Sequence, residues 1–67
     1  MEDQSTYHIE VRGQIAEHDL SNPLEITIIA GDEVSTEFTV TTDQSGLIGL
    51  LRYLNGRGML ILSVTRR

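Results

Sequence analysis

Between Thr42 and Val64 the chain reads TDQSGLIGLLRYLNGRGMLILSV: a polar pair, leucines at helical spacing, a glycine-rich break and an apolar run. Thr42 or Asp43 can accept hydrogen bonds from the first free backbone N–H groups of a helix, and Asp43 also suits the positive end of the helix dipole. Leu47, Leu50, Leu51 and Leu54 recur three and four residues apart and form one apolar stripe. Asn55-Gly56 is the expected left-handed stop, and Gly58 loosens the return. Met59 to Thr65 is almost continuously apolar, which predicts a strand in a central or doubly covered position.

The preceding half supplies strands. Residues 1–5 are polar and expected to fray, leaving 6–67 as a single α+β domain. From Thr6 to Gly13, Tyr7, Ile9 and Val11 alternate with His8, Glu10 and Arg12, the period of a half-buried strand. Gln14 to Pro23 reads as a polar loop, with Ile15 and Leu20 available to tuck under it. Leu24 to Ala30 is a second strand, Gly31-Asp32 a compact turn, and Glu33 to Thr41 a third strand with Val34, Thr36, Phe38 and Val40 on one side. Ile29 points to the polar side and is the exception.

The order is therefore β-β-β-α-β, a mostly antiparallel four-stranded sheet with one helix on one face. The strand–helix–strand part should cross over right-handedly, making the third and fourth strands parallel in direction. A connection of about ten residues between the first two strands is long for a hairpin and can pass over another strand. That places the first strand between others, as in a ferredoxin-like fold lacking its first helix. A meander with the last strand added at an edge is the alternative.

With 67 residues, no cysteine and 39% hydrophobic content, such a domain buries only about 60% of its unfolded surface. No disulfide can staple it, so self-association is the natural route to further burial, and a homo-oligomer, a dimer above all, is the expectation. A formal charge of −5 argues against a nucleic-acid partner, since phosphates would be repelled. No basic N-terminal stretch leads into an apolar run, and the longest apolar run is far too short for a bilayer. A cytoplasmic protein with no membrane contact is expected, with an unidentified protein partner left open.

The opening Tyr7-x-Ile9-x-Val11-x-Gly13, the helix segment Asp43-Gln44-x-x-Leu47-x-Gly49-Leu50-Leu51 and the ending Gly58-x-Leu60-x-Leu62-Ser63-Val64 together resemble a family of small, uncharacterised bacterial proteins of about this length. The resemblance covers both ends of the chain well and its middle poorly. Members typically carry a tryptophan-rich segment before the second strand, where this chain reads Asp19-Leu20-Ser21-Asn22-Pro23-Leu24 and has no Trp. They often have His where this helix has Ile48, and Pro at Leu60 or its neighbour. What the resemblance implies is fold rather than activity.

Chemistry-bearing residues do not assemble into a motif. His8 and His18 lack the fixed spacing of metal ligands, so no metal or cofactor is expected. Glu10, Glu25 and Glu37 alternate with apolar strand residues and read as solvated carboxylates on the open sheet face. His8, Glu10 and Arg12 would serve an enzyme only if a subunit interface completed the site, and no catalytic residue is assigned. Gly56-Arg57-Gly58 follows a helix, whereas a phosphate cradle needs its glycines before one. The outer side of the helix is more distinctive. Ser45, Gly49 and Arg52 lie opposite the leucines, with Gly46 and Tyr53 on one flank, and each helical glycine costs about 1 kcal/mol relative to alanine. This small-residue face, with Tyr53 as anchor and Arg52 as rim, is the expected partner contact. A non-enzymatic, self-associating interaction module is the leading functional reading, and a regulatory domain binding a small molecule at a subunit interface is the alternative.

Overall fold

The computed structural model describes residues 4–15 and 25–67. Of the expected loop from Gln14 to Pro23, residues 16–23, with His18 and Leu20, lie outside the described residues, as do Leu24 of the expected second strand and the first three residues of the expected frayed terminus. Strands β1 (Ser5–Arg12), β2 (Glu25–Gly31) and β3 (Ser35–Thr42) precede helix α1 (Gln44–Gly56) and strand β4 (Ile61–Arg66). The sheet order is β2-β3-β1-β4, and every neighbouring pair is antiparallel. This is the strand order of a ferredoxin-like sheet, with β1 inside, and not a meander. The α1 crossover carries the chain from β3 past β1 to β4.

Alternation along each strand places the core on one side of the sheet. Ile9 stands opposite Phe38 and Val64, and Phe38 in turn opposite Ile28. Ile9, Val11, Phe38 and Val40 are fully covered, together with Ile15 and with Leu50 and Leu54 from the helix. Each such aliphatic or phenyl side chain contributes about 1.5–3 kcal/mol on burial. Leu47, Leu51, Met59 and Ile61 pack around them, so the leucine stripe does face the sheet.

Two buried threonines hold the ends of β3. The Thr36 hydroxyl donates to the Gly13 carbonyl (2.8 Å) and accepts the Ile15 N–H (3.1 Å), tying the chain beyond β1 to β3. Gly13 turns out of the strand with φ +101°. Thr42 closes β3 against the helix start, where the Asp43 carboxylate accepts the Gly46 N–H at 2.8 Å as N-cap.

Several local expectations are corrected. The β2–β3 connection is the three residues Asp32–Val34 and not a two-residue turn, because the Asp32 carboxylate captures the N–H groups of Val34 (2.7 Å) and Ser35 (2.9 Å). Val34 therefore leaves the strand and is exposed. The left-handed residue after the helix is Gly58 (φ +80°), not Gly56. Gly58 N–H bonds to Asn55 O and Met59 N–H to Leu54 O, the paired bonds of a Schellman stop, and Met59 folds back onto the core. Finally, β4 is an edge strand and not a central one. Once the crossover spans β1, no position remains for it except the outside.

Candidate interaction surface

The open face of the sheet is polar. The Thr6 and Thr41 hydroxyls bond across β1 and β3 at 3.0 Å, and His8 Nε2 lies 2.9 Å from Glu37 Oε1. Glu10 stands directly opposite Glu37, a like-charge pair across β1 and β3, and His8 reaches Glu37 diagonally. Thr39, Ser63 and Thr65 fill the same face through the register. His8, Glu10 and Arg12 do share this face by alternation, but Arg12 is exposed at the end of β1. Among the described residues no three His, Cys, Asp or Glu side chains cluster as a metal site. A hydrated face of this kind needs no cover.

The apolar exposure is elsewhere. Leu60, Leu62 and Val64 remain 54, 43 and 39% accessible along β4 and its approach, and Ile48 remains 44% accessible on the helix. The Arg12 N–H reaches the Leu60 carbonyl (2.8 Å) and the Arg67 N–H the Thr6 carbonyl (2.9 Å), so β4 is laid fully against β1. On its other side no strand of the described residues pairs with it. The register slips between Glu10 and Val11, leaving Leu62 as the extra residue of a bulge. The opposite edge strand, β2, has a matching slip that leaves Ile29 extra and half-exposed. Bulges bend edge strands and shorten the straight segment available to a neighbour.

The expected helix face is divided. Ser45, Gly49 and Arg52 are exposed and continue as a stripe through Ile48, and a Cβ on Gly49 would meet nothing. Gly46 has an internal reason to be glycine, because a Cβ there would collide with the Thr42 hydroxyl. Tyr53 is half-buried against the core, its hydroxyl accepts from Arg57 Nη1 at 3.1 Å, and the Arg57 guanidinium stands 5.8 Å from its ring centre. Tyr53 is thus already engaged within the chain. Leu60, Leu62 and Val64 were not expected as surface residues. The signal for them lay in topology, since a last strand beyond a crossover over β1 must be an edge.

Charge divides along the same line. Residues 1–43 hold all ten acidic residues and one Arg, a formal −9, while residues 44–67 hold four Arg and no acid, a formal +4, which together give the −5 of the chain. Among the described residues, Arg52 on the helix, Arg57 at its C-cap and Arg66 and Arg67 at the end of β4 are exposed, while Asp32 and Glu33 lie in the β2–β3 turn and Glu10 and Glu37 on the open face. No helix of the described residues is long and apolar enough to cross a membrane. The chain matches no family model, no curated protein and no solved structure.

Proposed function

We propose that this chain is a non-enzymatic interaction module that works by self-association, in the cytoplasm of a bacterial cell. The observation that carries the reading is the β4 edge, which among the described residues is paired on one side only; Leu60, Leu62 and Val64 stay accessible along it and its approach, as does Ile48 on the helix. A domain of this size has little core to spare, and covering these residues adds burial that one copy cannot supply. The polar open face argues that the contact runs through the edge and the neighbouring helix, not through the flat of the sheet. Kinship with the small bacterial proteins that the helix and strand motifs resemble is part of the same reading.

Light scattering or native mass spectrometry over a wide concentration range tests it. The mass is expected to rise with concentration, and a mass that stays at one copy throughout would sink the reading. Replacing Gly49 by Leu separates the contribution of the helix, since an unchanged assembly in that variant removes the helix face from the contact.

A further inference from the structure

The two edges of this sheet are complementary to each other. Because β2 and β4 run antiparallel across the sheet, a second copy placed beside the first by translation brings its β2 against β4 in antiparallel sense, with both helices on the same side. The straight part of β4 beyond its bulge runs from Ser63 to Arg66, and the straight part of β2 before its bulge runs from Glu25 to Ile28. Val64 and Ile28 both lie on the core face, through their pairing with Ile9 and Phe38. The register that sets Val64 beside Ile28 of a second copy clears both bulges and keeps the apolar faces continuous. It also sets Arg66 beside Ile26 and Arg67 beside Glu25. At the far end, Asp32 and Glu33 of the second copy, both exposed, follow β2 toward the approach to β4, where Arg57 precedes it.

Charge decides between this arrangement and a two-fold pairing of β4 with itself. A two-fold contact joins two edges that carry arginines and no acid, with the arginine pairs at opposite ends of the ladder, whereas the β4–β2 contact joins the arginine-bearing edge to a strand flanked in sequence by Glu25, Asp32 and Glu33. Like charges at an interface oppose association and opposite ones fix its register. We infer that the occupant of the β4 edge is the β2 edge of a second copy of this chain, joined head to tail. This rests on the self-association proposed above and gives it a direction. A heterologous contact of this sort does not stop at two copies unless its rotation closes a ring. The short straight segments make each contact small and readily reversed.

The experiment compares three proteins by sedimentation velocity: wild type, Arg66→Glu with Arg67→Glu, and Glu25→Lys with Glu33→Lys, each first checked for native far-ultraviolet circular dichroism. Wild type is expected to show successive multiples of the single-copy mass. Each double variant alone is expected to associate about tenfold more weakly, and mixing the two in equal amounts restores association. If the Glu25/Glu33 variant associates like wild type while the Arg66/Arg67 variant does not, the β2 edge is not what β4 meets and the head-to-tail inference is overturned. If neither variant differs from wild type, β4 pairs with itself or the contact lies elsewhere, and in either case the inference falls while self-association stands. A wild type that stays at one copy overturns both, and leaves the cationic edge to an acidic partner of another kind.

Discussion

Two glycines three residues apart in α1 do opposite things. Gly46 sits over Thr42, so a methyl group there must displace a buried hydroxyl next to the Asp43 cap. Gly49 opens onto empty space. An ordinary helical Gly→Ala change gains up to about 1 kcal/mol. Gly49→Ala should deliver that gain as a higher midpoint of chemical unfolding, and Gly46→Ala should instead lose about 1 kcal/mol or more through overpacking. Asp32 offers a test by pH. Its carboxyl is held below the ordinary value by the backbone N–H groups of Ser35 and Val34. A lowered folded-state pKa contributes stability above the unfolded value and loses it as pH falls through the folded one. Asp32→Asn keeps an acceptor oxygen but cannot titrate. The stability advantage of wild type over this variant should therefore shrink on acidification below about pH 4, as read from paired urea titrations.

At the level of elements, the end of α1 shows where pattern reading succeeds and where it slips. Asn-Gly suggests a left-handed stop at Gly56, but the positive φ falls on Gly58, after Arg57 has extended the last turn. Gly58→Ala should cost about 1–2 kcal/mol, while Gly56→Ala, inside the helix and uncrowded, should be neutral or stabilising, with thermal midpoints separating the two. Alternation identified β1 and the core face of β3 because Ile9, Val11, Phe38 and Val40 repeat at period two against polar neighbours. The leucine stripe was legible from its helical spacing, and the cap from residue type down to Thr42 or Asp43, of which Asp43 serves. For β4 periodicity failed. An apolar run reads the same whether the strand is enclosed or merely lacks a neighbour, and the bulge at Leu62 breaks the alternation that would have marked its outer side. Ser45, Gly49 and Arg52 are exposed as their spacing suggests, whereas Gly46 and Tyr53 are committed within the chain by contacts that no spacing reveals.

Across the whole molecule the charge separation carries its own prediction. In the proposed head-to-tail contact the opposed edges attract through solvent, and such attraction is screened within about 10 Å at 0.1 M salt and about 3 Å at 1 M. Association should therefore weaken as salt is raised, as measured by sedimentation equilibrium. Pairing of β4 with itself would respond in the opposite sense, because salt would then screen a repulsion. The position of β1 has a consequence of another kind. It is the first strand along the chain, yet its partners are Phe38 and Val64 across Ile9, and both lie far downstream. Among the described residues the hairpin of β2 and β3 is the only pairing of strands adjacent in sequence, so it can form early, while enclosure of β1 waits on distant segments and the loop-closure entropy they carry. During synthesis one side of β1 stays without its strand partner until the residues beyond Ile61 arrive. That interval, more than any weakness in the finished sheet, is when this chain is open to misassembly.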